Sequence, residues 1–227
     1  GSSYVRDQNG NIIVDSRKTT KSGSLNPNYG MPLQGDPKVI AKVNPDFEFN
    51  FFNTLKYKSF TFSIQADWRK GGNMFSGMNA LLWAYGIGEE TENREQELKV
   101  EDAKKGYIDD NGQLVVEGDN DILIPADKMD VYYDQVLWNI SESAVFNTTF
   151  FRLREIRISY DIPEKWLESM FAQSATVYLS GRNLWLMTDY PNFDPEVSTS
   201  SGNGIGGFEY IALPNTKSFG GGVKLKF

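Results

Sequence analysis

The feature that most constrains the fold is an unbroken alternation of apolar and polar residues over residues 59–68. Successive side chains of a β-strand point to opposite faces, so this period of two predicts a strand with one apolar and one polar face. The odd positions carry only serine, threonine, glutamine or aspartate. The even, apolar positions are Phe60, Phe62, Ile64, Ala66 and Trp68.

A second apolar series precedes this strand and has the same period. A two-residue turn at residues 58–59 pairs residues whose numbers sum to 117, such as Tyr57 with Phe60 and Phe51 with Ala66. Both apolar series then lie on one face of one hairpin. The members of the second series are Phe47, Phe49, Phe51, Leu55 and Tyr57.

Two interpretations of the hairpin are open at this point. Its apolar face could cover the core of a soluble β-sandwich, or it could contact lipid as part of an outer-membrane barrel. About ten residues at ~3.3 Å each, tilted by about 40°, cover the ~25 Å apolar band of such a membrane. Sandwich strands are usually nearer five or six residues, so the length favours the membrane slightly.

Three further long strands are predicted, which makes about five. One covers residues 151–162, where the change of parity after Arg154 indicates a β-bulge near Glu155. A second starts near Ala175 and continues through residue 184, and the last covers residues 216–227. Long polar loops are expected at residues 70–147 and 188–214, and residues 1–46 are expected to form a loop region, which the resemblance described below implies to be extracellular.

Composition excludes several classes of protein. The chain has no Cys and no His, so disulfides, Cys/His zinc sites and a Ser-His-Asp triad are excluded. The net charge of −7 argues against a nucleic-acid partner, because nucleic-acid-binding proteins usually carry a basic surface. No cofactor is predicted, and no metal site either: a calcium-like loop at Asp7 has Ile12 where Gly is required and Lys18 where Glu is required.

The long loop at residues 70–147 contains two helix-like patterns. The first predicts a short amphipathic helix, because apolar residues recur at helical spacing from Met74 to Tyr85. The second predicts a solvated helix, because opposite charges stand four residues apart in pairs such as Glu90 and Arg94, and Glu101 and Lys105.

Several motifs together resemble the C-terminal part of the SusC/RagA family of TonB-dependent outer-membrane transporters of Bacteroidetes. Their order and spacing carry the resemblance, which extends from about Asn44 to the end of the chain. The matching stretches are residues 44–47, 57–62, 67–72, 151–156, 159–163, 181–184, 194–196 with Tyr190, and the terminal strand.

The resemblance implies an all-β fold, in which antiparallel C-terminal strands form part of a large transmembrane β-barrel with long extracellular loops. Such a barrel has about 22 strands around a plug. Five strands cannot close it, and no plug, signal peptide or TonB-contacting segment is recognisable in the chain. The sequence is therefore expected to represent the C-terminal piece of a larger transporter in the bacterial outer membrane.

The function implied by the resemblance is active import of a nutrient oligomer, either an oligosaccharide or an oligopeptide. Its expected partners are a SusD-like surface lipoprotein acting as a lid, the TonB complex acting through the plug, and outer-membrane lipid. Trp83 and Tyr85 are candidates for stacking on the substrate, and Asp194 and Glu196 for accepting its hydrogen bonds.

The terminal strand also resembles the signal that the barrel-assembly machinery recognises. Its matching positions are Gly222, Leu225 and Phe227, and it departs from the usual pattern in having Gly220 where a polar residue is common.

Two alternatives belong to other classes. A secreted soluble β-sandwich that binds glycans would also use aromatic-rich strands and acidic loops, but it predicts shorter strands. A glycosidase would need two carboxylates at catalytic separation. The acidic pairs here occur in charge-mixed surface contexts, so no catalytic residue is assigned and the chain is not expected to be an enzyme.

Overall fold

The computed structural model describes residues 1–168, 172–199 and 206–227. In these ranges thirteen strands run in chain order: β1 (Ser3–Tyr4), β2 (Ile13–Asp15), β3 (Gln34–Gly35), β4 (Phe47–Tyr57), β5 (Phe60–Lys70), β6 (Asn73–Ser76), β7 (Lys104–Ile108), β8 (Leu114–Asp119), β9 (Val145–Asn147), β10 (Phe150–Asp161), β11 (Ser174–Thr188), β12 (Phe208–Glu209) and β13 (Ser218–Lys226).

The helices are short. The α-helix α1 covers Gly77–Ala84, a π-helical segment covers Val131–Leu137, and 3-10 turns cover Glu89–Thr91, Ala126–Lys128, Ser141–Ala144 and Glu164–Trp166. None of the helices in the described ranges has the length and apolar character needed to cross a lipid bilayer.

The chain divides into two compact units. Unit 1 contains residues 1–42, 74–146 and 199–211, and unit 2 contains residues 43–73, 147–198 and 212–227. Residues 1–42 of the expected loop region at 1–46, and much of the two long loops, thus contribute to one folded unit. Of the predicted loop at 188–214, residues 200–205 lie outside the described residues.

Unit 2 is built on one five-stranded antiparallel sheet in the order β13-β11-β10-β5-β4. Its strands are 9 to 15 residues long. The register of the first hairpin is confirmed, because Tyr57 pairs with Phe60 and Phe51 with Ala66. The turn between β4 and β5 is closed by Lys58, whose φ is 53°.

A bulge in β10 preserves the two faces of the sheet. Against β5 the register shifts between Leu153 and Glu155, which leaves Arg154 as the extra residue. Against β11 the register also shifts there, and residues 183 and 184 lie between the partners of Leu153 and Glu155. Arg152 and Arg154 therefore lie on the same face as Arg157 despite the change of parity. The bulge predicted near Glu155 is confirmed.

The apolar face of this sheet is exposed. Leu55, Tyr57 and Leu179 retain 63%, 68% and 67% of their accessible surface, and Phe219 retains 80%. A soluble sandwich buries such side chains under a second sheet, and no sheet of the described residues covers this face. The sheet instead has the form expected for the wall of a barrel.

The connections of the sheet differ strongly in length between its two ends. At one end, β4 joins β5 by two residues and β10 joins β11 by residues 162–173. At the other end, residues 71–149 join β5 to β10 and residues 189–217 join β11 to β13. Long loops at one end and short ones at the other are typical of outer-membrane barrels.

Unit 1 contains small sheets and two small apolar clusters. The strand β2 pairs in parallel with β7, which pairs with β8. One cluster contains Met31, Ile124 and Met129, all buried. The predicted short helix is confirmed as α1, which begins after Ser76; the Ser76 hydroxyl accepts a hydrogen bond from the Asn79 backbone N–H at 3.1 Å. Its buried residues are Gly77, Asn79, Ala80 and Trp83, so the apolar series from Met74 to Tyr85 does not form the buried face.

The predicted solvated helix beyond residue 90 is wrong. The 3-10 turn ends at Thr91, Leu98 bridges to Ile124, and β7 begins at Lys104. Lys105 forms a salt bridge with Asp121 at 2.8 Å rather than with Glu101. Glu101 forms a salt bridge with Lys99 at 3.0 Å. Charge pairs at helical spacing stabilise a helix by only a few tenths of a kcal/mol. The pairing of β7 with β2 and β8 therefore determines the conformation of this segment instead.

Candidate functional site

The polar face of the sheet in unit 2 carries a buried cluster of charges near the end where the long loops begin. It joins two strands to the segment at residues 189–199. Its five members are Asp67 of β5, Arg152 and Arg154 of β10, and Asp194 and Glu196 of the loop.

Arg152 and Asp194 form the centre of this charge cluster. Their side chains are only 3% and 4% exposed, and Arg152 Nη2 donates to Asp194 Oδ1 at 2.5 Å. Asp194 also accepts from the Glu196 amide at 3.1 Å and from Asn215 Nδ2 at 3.0 Å. Burial raises the pKa of the Asp194 carboxyl, but the hydrogen bonds from Arg152, Glu196 and Asn215 outweigh burial and hold that pKa below its ordinary value.

Glu196 connects the two arginines. Its Oε1 accepts from Arg154 Nη2, and its Oε2 lies 2.8 Å from Arg152 Nε without the alignment of a hydrogen bond. Arg154 Nε donates in turn to Asp67 Oδ2. The segment at 189–199 is thus fastened to β10 by side chains at two loop positions, and Arg154 links it further to Asp67 of β5.

Such a cluster fixes one arrangement of the loop. Bringing charged groups out of water is costly, so buried ion pairs add little net stability over apolar side chains of similar size. Removing one partner, however, leaves an uncompensated buried charge and costs several kcal/mol. The cluster therefore selects a single position for the segment and opposes alternatives.

The candidate substrate residues occupy different surroundings. Asp194 is 4% exposed and already accepts a hydrogen bond from Arg152, whereas the side chain of Glu196 is 20% exposed. Trp83 is 9% exposed and packs with Ala80, Leu137 and Ala144 in unit 1. Tyr85, at the end of α1, is 74% exposed. Asp194 and Glu196 are brought together, and Tyr85 has the most surface available for a ligand.

The candidate barrel-assembly residues lie in or beside β13. Gly222 pairs with Tyr178, and a Cβ atom at Gly222 would lie 2.8 Å from the Tyr178 hydroxyl oxygen. Leu225 pairs with Ala175 and is 44% exposed, and Phe227 is 75% exposed. Glycine at 222 is thus explained by the Tyr178 ring on the neighbouring strand.

The arginines and Asp67 were not predicted as site residues. The available signal was a pair of arginines two residues apart in a strand, at Arg152 and Arg154, which the alternation places on one face. Their partners lie 42 residues or more away along the chain, and no local pattern indicates these contacts.

Long antiparallel strands, an exposed apolar face, a polar face with buried charges and long connections at one end define this sheet as the wall of an outer-membrane β-barrel. The resemblance to TonB-dependent transporters is confirmed by two relatives from Formosa agariphila. TonB-dependent receptor P3 is 26% identical over 197 residues, and TonB-dependent receptor P26 is 27% identical over 203 residues.

The matches cover most of this chain but little of the relatives. They include 85% and 87% of the chain, which spans only 17% and 18% of the length of the two receptors. No protein-family model matches the sequence. TonB-dependent receptors are outer-membrane proteins, and this is the localisation of the chain.

Solved structures share the fold. The RagAB peptide importer in its closed-closed and open-open states matches all of the chain and 22% of its own chain, each with a TM-score of 0.56. The sequence identities are 16% and 17%, at which the likeness shows the fold alone.

Proposed function

We propose that the chain forms part of the wall and outer loops of a TonB-dependent importer of nutrient oligomers, and that it is not an enzyme. The cargo is an oligosaccharide or an oligopeptide. The whole transporter includes a plug through which the TonB complex supplies energy. The relatives are named as receptors, and the solved structures as a peptide importer, which supports this class.

The observation that carries the proposal is the distribution of side chains on the exposed apolar face. Aromatic pairs lie near both ends of the sheet, with ring centroids 5.9 Å apart for Phe151 and Trp185 and 4.7 Å apart for Phe60 and Tyr160. The middle is mainly aliphatic. Membrane barrels carry such an apolar band between two aromatic girdles.

The dimensions agree with this assignment. Phe60 and Trp68 mark the two ends of β5 on the apolar face and are eight residues apart, or about 26 Å at ~3.3 Å per residue. A tilt of about 40° reduces this to about 20 Å across the membrane, comparable with the ~25 Å apolar band.

The long connections would then lie on the extracellular side, where a SusD-like lipoprotein acts as a lid. Exposed aromatic side chains such as Tyr85 are available to the lid or the cargo. The fixed segment at 189–199 gives the entrance a defined edge, because the charge cluster attaches it to the wall.

Deletion of the encoding gene in the source cells tests this function. We expect growth on the cognate oligosaccharide or on oligopeptides to fail, while growth on the corresponding monomers continues, because monomers diffuse through general porins. The lipoprotein should co-purify with the transporter from detergent-solubilised outer membranes. Unchanged growth on a panel of both classes of oligomer would contradict the proposal, and so would recovery of the protein in a soluble fraction.

A further inference from the structure

A groove lies on the exposed apolar face of the sheet in unit 2, where its lining comes from β10, β11 and β13. Its volume is about 290 Å³. Sites for small molecules usually start near ~300 Å³, so the groove has room for a segment of a larger apolar molecule. The lining residues that bear on its shape are Ile156, Ile158, Leu179, Gly181, Leu184 and Phe219.

The recess exists because position 181 has no side chain. Gly181 pairs with Ile156 on β10 and with Phe219 on β13, so it lies between two larger apolar residues. A Cβ atom at position 181 would lie 2.7 Å from Leu184 Cδ2 and 3.3 Å from Phe219 Cδ1. A larger residue at this position would therefore fill the floor of the groove.

The walls of the groove are accessible from outside the sheet. Ile158, Leu179 and Phe219 are 47%, 67% and 80% exposed. The strand β11 already has a neighbour on each side, so a further strand paired with the free edge of β13 would widen the wall without covering this face. The apolar face of an outer-membrane barrel contacts lipid, so an acyl chain is the apolar group that meets the groove.

A lysine stands where the groove approaches the long loops. Lys217 directly precedes β13, two residues before Phe219, and the neighbouring Thr216 carbonyl accepts a hydrogen bond from Asn183 Nδ2 at 3.1 Å. Lys217 is exposed, and in the described part of the chain no ion pair involves it. Its ammonium group is therefore available to an anionic headgroup, while its methylene stem can lie along apolar surface.

The position of this lysine agrees with the level of lipid headgroups. Leu179 pairs with Ile158 at the middle of the apolar face and with Gly221 on β13. Lys217 lies four residues from Gly221, which is about 13 Å at ~3.3 Å per residue and about 10 Å across the membrane at a tilt of about 40°. Half of the ~25 Å apolar band is about 12 Å, so the ammonium group can reach a phosphate at the membrane surface.

We propose that the groove binds one acyl chain of a phosphorylated lipid A molecule of the outer leaflet, and that Lys217 binds its phosphate. Inside a membrane the hydrophobic effect does not favour one apolar contact over another, so close packing and polar contacts select a partner. The groove provides the packing, and Lys217 provides the charge. The choice of the outer leaflet rests on the proposed function, which places the long loops outside the cell, whereas the groove and the lysine do not.

The test uses the full transporter, purified from outer membranes in a mild detergent. Native mass spectrometry identifies the lipid that the protein retains, and we expect lipid A. After removal of this lipid, titrations with phosphorylated lipid A and with the same lipid A without phosphate give a Kd for each probe. The phosphorylated form should bind about fivefold more tightly, as the attraction between one lysine and an anionic headgroup predicts.

Four results would overturn the proposal. Equal Kd values for the two probes would reject the role of the phosphate, and the absence of saturable binding would leave the groove to ordinary membrane lipid. Retention of a phospholipid in place of lipid A would reject the lipid proposed here. A dimer without bound lipid that dissociates in Gly181→Leu would assign the groove to a second copy of the chain.

Two lysine variants test the headgroup contact. Lys217→Gln should weaken binding of phosphorylated lipid A about fivefold and remove the difference between the two probes. Lys226→Gln removes the same charge at the other end of β13 and should leave both Kd values unchanged. Equal effects of the two changes would reject Lys217 as the contact.

The groove itself is tested by changes of shape that keep every charge. Gly181→Leu fills the recess and should abolish saturable binding, because the acyl chain then has no space to enter. Leu55→Phe adds bulk to the same face on β4, away from the groove, and should have no effect. If Gly181→Leu fails to fold, Phe219→Ala removes one exposed wall of the groove and should also weaken binding. Unaltered binding in the groove variants would overturn the site.

These results are separable from those on import. Lipid binding is measured on purified protein without TonB or a lid, so a protein that imports nothing could still bind lipid A in the groove. Conversely, loss of growth on oligomers in the deletion strain, with no lipid A bound to the purified transporter, would retain the proposed function and reject the groove.

Discussion

Arg152→Ala is expected to release the segment at 189–199 from the sheet. The change leaves the Asp194 carboxylate, 4% exposed, without its guanidinium. Breaking a buried ion pair in this way costs about 3–5 kcal/mol, so the open form of the segment should become at least about a hundredfold more populated. Chymotrypsin cleavage after Phe193 measures that population, if the enzyme is dilute and the purified transporter remains folded.

Arg182→Ala is the matched control. Arg182 lies on the neighbouring strand and pairs with Glu155 at 3.1 Å, but its side chain is 66% exposed. Exposed ion pairs contribute about 0–1 kcal/mol, so cleavage should rise by no more than a few fold. Equal cleavage rates in the Arg152 and Arg182 variants would show that the buried cluster does not hold the segment.

Ile158→Arg is expected to prevent stable insertion of the sheet into the membrane. Ile158 lies in the middle of the apolar face, between Phe62 and Leu179, and is 47% exposed. An arginine facing lipid near the midplane costs about 2–4 kcal/mol in a membrane barrel. The amount of heat-modifiable, folded protein in the outer membrane should therefore fall sharply.

Ser159→Arg controls for the size and charge of the new side chain. Ser159 is the next residue of β10 and pairs with Thr61 and Tyr178 on the polar face. Folded protein should reach nearly the normal level, because the new side chain points away from lipid. Comparable losses in both variants would contradict the assignment of the two faces.

The sheet was predictable because its pattern is local and repetitive. A shift of one residue between β4 and β5 would move every apolar side chain to the other face, so Tyr57 and Phe60 could be paired from the sequence. The change of parity at Arg154 likewise indicated the bulge before any contact was known.

Long-range contacts were not predictable in this way. The salt bridge between Arg152 and Asp194 joins residues 42 positions apart, and β2 pairs with β7 across about ninety residues. The segment after residue 90 showed helical charge spacing, yet its contacts are with distant strands. Trp83 likewise gave no local sign of whether it packs inward or faces a ligand.

One face of the sheet is expected to contact lipid and the other to contact water. Adjacent residues Leu179 and Ser180 of β11 test it as single cysteines carrying a nitroxide label, since this chain has no cysteine of its own. The measurement is the accessibility of each label to oxygen and to the polar reagent NiEDDA, in the full transporter within membranes and with any other cysteines replaced. Position 179 is expected to be accessible mainly to oxygen and position 180 mainly to NiEDDA. High accessibility of both positions to NiEDDA would contradict the assignment of the apolar face to lipid.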